Sequence, residues 1–479
     1  MWVRLEKVCN DKAPWWVRGL DAFAIVVLML LLANLLFGGF AAYVGSLRLS
    51  VHSPVRLLVI AVTLLAARHA IFRQHPLHRR AAGWIRTIRD DHTAATAVAA
   101  LTGRISVLLV GYFAVLTFGT AKPGLVVSTD PLVDLPARFD AAWYSGVALH
   151  GYRFEGRFDT QQNFAFFPAY PLMMRAVGHV IGAFERGVAL PRRLARVLWG
   201  GTAISLIAFV WAIWYLGKLA RDTIGESLAG TAIAALSAYP FAVFFSAAYT
   251  ESVFLLGSIA AFYHFRHRHW RAASAWGLLV GLTRPNGCLL SVVLACIFVE
   301  ELWRERRKAQ LRASDAMGPL VASAAPGIGM LLYSAFVYRL TGDWFGWTRV
   351  QGAWGRSFVG FEPIQHGVEW IGESGLRPVV AAFPMSTLNA LAFIFAVLMV
   401  WPTFRRVGLA AAVFILINIL PPMMSGGVLS MGRMTSTLFP IFLAFAAMLP
   451  ARFVMPVITA FAVGQGLVAA LFFTWRPLY

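Results

Sequence analysis

Apolar residues gather along this chain in long runs, separated by short polar stretches rich in arginine. The runs fall at 22–44, 57–67, 105–119, 197–216, 228–245, 253–262, 319–337, 379–400, 408–420, 438–449 and 454–473. A helix needs ~20 residues to cross a bilayer, and several runs approach that length. The pattern predicts about thirteen helical spans. The first run is long and lacks a small-residue cleavage site behind it, which predicts a retained span and not a signal peptide. Two places break the rhythm. Residues 164–184 are apolar, but counting them as a span would invert every later loop. Pro168, Pro171 and Arg175 suit a helix lying at the interface or re-entering. Residues 274–299 must go out and back in about 26 positions, too few for two crossings of ~20 each. Two short helices meeting at Thr283-Arg284-Pro285-Asn286-Gly287 are expected there, with the turn sunk below the surface. Irregular backbone at such depth is tolerated where it is buried in protein or lines a polar cavity.

Composition agrees: 59% of the residues are hydrophobic and 13% charged, with a mean hydropathy of +0.68. Soluble domains carry roughly twice that charged share. A net charge of +20 would suggest nucleic acid in a soluble protein. Here no nucleic-acid partner is called for, because the basic residues cluster in short loops. They lie at Arg4, Lys7, Lys12 and Arg18, then between Arg68 and Arg89, at Lys218/Arg221, Arg266/Arg268/Arg271, Arg304 to Arg312 and Arg405/Arg406. The positive-inside bias makes these cytoplasmic. Four segments then share the opposite face: 120–196, 239–251, 340–376 and 421–435. Two spans and a basic loop, residues 1–95, read as an extension ahead of a membrane domain over 96–479. The arginine bias hints at a GC-rich genome and favours a bacterial plasma membrane over the endoplasmic reticulum for this multi-pass protein. Three cysteines make no framework; Cys288 and Cys296, eight apart in an apolar segment, read as packing thiols.

The longest outer loop carries Arg138-Phe139-Asp140-Ala141-Ala142-Trp143-Tyr144, then Gly151-Tyr152, then Gln161-Gln162-Asn163 and Phe164 to Pro171. Rings alternating with polar residues suit a sugar, which offers C–H faces to aromatics and hydroxyls to carboxylates and amides. The plainer reading of the rings is an interfacial belt. Asp140 is either a general base for an attacking hydroxyl or a solvated loop acid. No metal-ligand spacing occurs: HExxH and a paired DxD in the outer loop are both missing, and the eleven histidines are scattered. His264, His267 and His269 sit together among arginines on the basic side. Neither a metal nor a cofactor is called for.

The motifs RFDAAWY, GY and AFFPAYPL resemble the first luminal loop of the PIG-V type of mannosyltransferase. More of that pattern follows in order: Ser237 to Pro240 and FFSAAYTES (Phe244 to Ser252), then Leu282 to Gly287, then Gln351-Gly352-Ala353-Trp354-Gly355-Arg356, then Ser430-Met431-Gly432-Arg433 with Phe439-Pro440 beyond. The similarity runs from about Asp134 to the C-terminus. One departure is Phe139, where many relatives carry Trp; an aromatic is kept. The motifs all fall on the face opposite the basic loops.

The resemblance implies a GT-C-like, all-α polytopic bundle of about thirteen transmembrane helices, with the active site on a large first outer loop. It implies a polyprenyl- or dolichyl-phosphate mannose donor, a hydroxyl acceptor on a glycolipid or other glycan, and membrane lipids around both. Transfer would invert the anomeric centre. Asp140 is then the catalytic base. Arg284 and Arg433 lead as stabilisers of the leaving phosphate, with Arg356 behind them, since arginine suits planar multi-donor contact with phosphate. Arg433 and Arg356 could instead snorkel to head groups; a mid-depth charge such as Arg284 usually marks function. Glu251 positions an acceptor hydroxyl or pairs with an arginine. Arg138, Trp143, Tyr144, Gln162 and Gln351 complete the candidate donor or sugar contacts. The competing class is a transporter or flippase for a lipid-linked sugar. Such proteins show interrupted helices in corresponding halves, and only one interrupted pair is legible here.

Overall fold

The structure is a computed structural model and describes residues 15–37, 40–44, 47–51, 53–71, 92–306, 316–476 and 478. The basic N-terminus with Arg4, Lys7, Lys12 and Cys9, most of the basic stretch up to Arg89, and Arg307 to Arg312 lie outside the described residues. Apart from a short hairpin, Phe40–Val44 paired antiparallel with Leu47–Val51, the described chain is helical.

Among the described residues twenty α-helices follow in order. They are α1 (Trp15–Phe37), α2 (Pro54–Ile71), α3 (His92–Phe118), α4 (Pro131–Asp134), α5 (Ala141–His150), α6 (Ala169–Val180) and α7 (Leu190–Ile224). Next come α8 (Glu226–Ala238), α9 (Glu251–Arg266), α10 (Trp270–Gly281), α11 (Leu290–Arg306) and α12 (Met317–Thr341). The last are α13 (Gly346–Arg349), α14 (Glu362–Ser374), α15 (Leu376–Ala382), α16 (Pro384–Arg406), α17 (Leu409–Gly426), α18 (Met431–Ser436), α19 (Phe439–Met448) and α20 (Ala451–Phe473).

Apolar helices appear where the runs predict them, but their lengths are unequal. Seven among the described residues are long and apolar enough to cross a membrane, and the bent pair Glu226–Ala238 with Pro240–Ser246 makes an eighth. Among the described residues part of the difference from thirteen has a physical cause: α9, α10 and α19, with 16, 12 and 10 residues, are shorter than a crossing of ~20. The turn at Thr283 to Gly287 was expected. The break of 80° between α8 and Pro240–Ser246, and the turn carrying α18, were not. Residues 164–184 form no span: after a single 3-10 turn they give the 12-residue, amphipathic α6.

Small residues let the interrupted helices sit close. A Cβ on Gly281 would lie 1.9 Å from the Pro326 carbonyl oxygen of α12, and one on Gly287 2.1 Å from that of Val280. Backbones that touch in this way pack the Thr283 to Gly287 turn by van der Waals contact, as small residues do between membrane helices. Asn286 Nδ2 donates to Asn418 Oδ1 of α17 at 2.7 Å, satisfying two amides where water is scarce. At the N-terminal end, α1 and α2 share a small cluster around Val27, Leu57 and Ala61, and Arg68 pairs with Asp21 at 2.8 Å.

Candidate active site

Four segments far apart in sequence meet where the helices break. Ala169 N–H donates to the Leu282 carbonyl, joining the first outer loop to the sunken turn. Tyr333 OH of α12 donates to the carbonyls of Phe164 and Phe166 at 2.8 and 3.2 Å. Gln161 Nε2 reaches the Ala353 carbonyl at 3.4 Å, and Val359 N–H donates to the Met424 carbonyl. These bonds gather the segments that the basic loops assign to one side.

Asp140 stands directly before α5, in the N-cap position, yet its side chain makes no cap bond. It turns instead to Arg433, whose Nη1 lies 2.5 Å from Asp140 Oδ2. Two features aim it there. Phe139 adopts a left-handed backbone with φ of 45°, a conformation a bulky residue takes only under constraint. Its ring is wedged 4.6 Å from the Trp475 centroid and 5.6 Å from that of Phe472. Tyr249 OH accepts the Asp140 N–H at 3.0 Å and donates to the Arg138 carbonyl at 3.3 Å.

Below Asp140, Glu251 begins α9 with a fully buried side chain. Arg433 Nε donates to Glu251 Oε1. Arg284 Nη1 lies 3.2 Å from the same oxygen, an ion pair out of line for a hydrogen bond. The second oxygen, Oε2, has no partner. Arg433 packs its guanidinium 4.6 Å from the Tyr249 ring centroid, and Arg284 lies 5.4 Å from that of Phe254. Arg356, on the outer loop, completes the set. Its burial and then the Arg433 charge lower its pKa, while Asp140 works the other way. The cluster therefore holds two carboxylates against three guanidiniums, one positive charge in excess. Arg356 is half-buried and feels the charges of Arg433, Asp140 and Arg284, so an anion beside it would be stabilised.

Above the charges lie rings. Trp143 stacks on Phe166 with centroids 5.5 Å apart, and Trp354 stands edge-on to both at 5.7 and 5.9 Å. Tyr144 is buried beneath, its ring against Phe166, Tyr170 and Tyr249, and its hydroxyl 3.5 Å from Thr250 Oγ1. Burial pushes the Tyr144 phenol up to about 12, so it stays a neutral hydroxyl.

Two expected contacts are corrected. Arg138 spends Nε on the Phe473 carbonyl at 2.6 Å and Nη1 on Asp134 and the Ala137 carbonyl. It clamps the loop to the end of α20 and is not a ligand of the cluster. Gln162 is buried and folds its own loop: Oε1 accepts from Glu155 N–H at 3.0 Å and Nε2 donates to the Arg157 carbonyl. Gln351 stays close by, in the 3-10 turn Val350–Trp354, where its carbonyl accepts the Arg356 N–H at 3.3 Å. Tyr249 and Trp354 were not singled out as site residues, though both lie inside quoted motifs. Their neighbours Glu251 and Arg356 were the available signal. Among the described residues no group of three or more His, Cys, Asp or Glu could hold a metal.

The structure is thus a multi-pass helical bundle that brings an acid among arginines and rings beside broken helices. Residues 112–341, a little under half of the chain, match the family model described as Mannosyltransferase (PIG-V). Together with the apolar helices, that similarity supports a membrane glycosyltransferase with a sugar donor and a glycan acceptor. The match takes in Asp140, Glu251 and Arg284 and ends before Arg356 and Arg433. No curated protein matches the chain.

Proposed function

We propose that this protein transfers mannose from a polyprenyl- or dolichyl-phosphate mannose donor to a hydroxyl of a lipid-linked glycan on the non-cytoplasmic face of the membrane. The observation that carries the reading is the charge cluster with its single positive excess. A phosphodiester-linked sugar donor brings one negative charge, which neutralises the three guanidiniums against two carboxylates. Arg284, Arg356 and Arg433 are arranged about the space beside Asp140, and arginine's planar fork suits phosphate oxygens. The lipid tail stays in the bilayer while its head group reaches the turns where the helices stop short.

In the reaction the acceptor oxygen attacks the anomeric carbon, and the bond from that carbon to the phosphate oxygen breaks. The hydroxyl proton passes to Asp140. Arg433 occupies Oδ2, which leaves Oδ1 for the acceptor; the side chain is 24% exposed, enough to be reached. Charge that builds on the departing phosphate is met by Arg284 and Arg356. Attack opposite the leaving group inverts the centre, so a β-linked donor yields an α-mannoside. The ring set of Trp143, Phe166 and Trp354 offers apolar faces to a sugar.

The test is to incubate membranes containing the protein with radiolabelled polyprenyl-phosphate mannose and extract the lipids and glycans. Label entering an acceptor, and lost in Asp140→Asn, is the expected result. Donor that crosses the membrane with its label still on polyprenyl phosphate would replace transfer with transport.

A further inference from the structure

We infer that Arg104, with Gln465, is a positioning pair that holds the break between α8 and Pro240–Ser246 open and thereby seats both Glu251 and Arg433. Arg104 lies within the candidate span Val98–Phe118 and is fully buried. An arginine at such depth is expensive and normally has an acid beside it. This one bonds carbonyls instead: Nη1 donates to Ala242 and Nη2 to Ser237, with Gln465 Oε1 3.0 Å from Nη2. Gln465, from α20, sends its own Nε2 to the carbonyls of Ser237 and Tyr239 at 2.9 and 2.8 Å. The Arg104 cation also faces the Phe209 ring at 5.0 Å.

The last four carbonyls of any helix lack intrahelical donors, and α8 ends inside the bundle, where water does not serve them. Arg104 and Gln465 are the donors that make this end tolerable. What the break carries explains why it is kept. Beyond it the chain runs through Tyr249 to Glu251, which accepts from Arg433. On its other side, Tyr239 OH bonds Thr435 Oγ1 at 2.9 Å, and the Phe241 ring packs so tightly on Gly432 that a Cβ there would lie 2.3 Å away. Gly432 and Thr435, on either side of Arg433 along α18, thus rest on the braced turn. Arg104 touches no reacting atom; it acts through these contacts, and it lies outside residues 112–341.

This inference rests on the proposed role of Glu251 and Arg433, and the experiment separates the two. Full-length protein in lipid nanodiscs is assayed for turnover with radiolabelled polyprenyl-phosphate mannose. The variants are Arg104→Met, Arg104→Lys, Gln465→Met, Glu251→Gln and Arg104→Met combined with Glu251→Gln. Displacement of site groups by about 1 Å can cost on the order of 10²-fold in rate, so Arg104→Met should lose about that much turnover per folded molecule. Arg104→Lys, which keeps a donor and the charge, should recover part of it. In the Glu251→Gln background the same change should cost about twofold or less, because groups acting through one another are not additive. Equal losses in both backgrounds, or full turnover in folded Arg104→Met and Gln465→Met, would overturn the inference alone. Full turnover in Glu251→Gln would overturn it together with the site reading.

Discussion

Replacing Asp140 by Asn removes one charge and leaves the shape. The amide oxygen can still accept from Arg433, so the ion pair at 2.5 Å becomes a hydrogen bond from a cation to a neutral oxygen. Losing the carboxylate charge costs about 1 kcal/mol. Against a folding margin of even ~5 kcal/mol, that leaves well under about 1% of molecules unfolded. The chemical loss is of another size. An amide cannot take the acceptor's proton, and general-base catalysis is worth ~10²–10⁴-fold, about 2.7–5.4 kcal/mol of barrier. The positive excess of the cluster rises by one at the same time, so binding of an anionic donor should hold or tighten. Turnover at saturating donor, donor KM and monodispersity of the purified protein together make the assay. The control is Asp159→Asn in the same loop. Arg157 pairs with that carboxylate at 2.5 and 2.7 Å and holds it below its usual range, but the group is 69% exposed and belongs to no cluster. Asp159→Asn should keep most of its turnover. Near-normal turnover in Asp140→Asn, or equal losses in the two variants, would refute Asp140 as the base.

A cysteine introduced at exposed Thr129 in a cysteine-free background should react with an impermeant reagent from the non-cytoplasmic side; labelling only in inverted vesicles would reverse the topology. Gly432→Ala should be destabilised by about 1–3 kcal/mol and lose turnover, because its Cβ would sit 2.3 Å from Phe241 beside Arg433; unchanged melting and activity would mean that α18 shifts freely. Arg284→Met should lower stability by about 2–3 kcal/mol and raise donor KM. That is less than the ~3–5 kcal/mol for an orphaned buried charge, since Arg433 still serves Glu251. Unaltered donor KM would remove Arg284 from the phosphate.

Much of the fold is legible in the chain because lipid imposes a strict rule: apolar runs become helices, and arginines mark one side. Length arithmetic alone reveals the turn at Arg284, since residues 274–299 cannot cross twice. The same arithmetic does not reveal the break after α8. There the run 228–245 is long enough for a crossing, and its 80° bend, with Arg104 and Gln465 on the freed carbonyls, emerges only in the structure. The site is legible as residue types but not as pairings. Asp140, Glu251, Arg284 and Arg433 stand out as charges in an apolar chain; that one arginine serves both acids depends on tertiary packing. Arg138 and Gln162 bond the loop and the end of α20 in the structure; a motif does not tell a residue that shapes a loop from one that meets substrate.

Arg433 and Asp140 are 293 positions apart, and this has a consequence for how the protein is made. A ribosome delivers Asp140 and Glu251 to the membrane well before Arg433 exists. Arg284 follows Glu251 by 33 residues and can shield that acid during insertion, while Asp140 waits for α18, with two helices still to come. No shortened chain ending before α18 can hold the finished cluster. Two separately expressed pieces, divided in the loop after α12, would regain it only by docking. Activity that depends on the cluster would therefore report completed assembly.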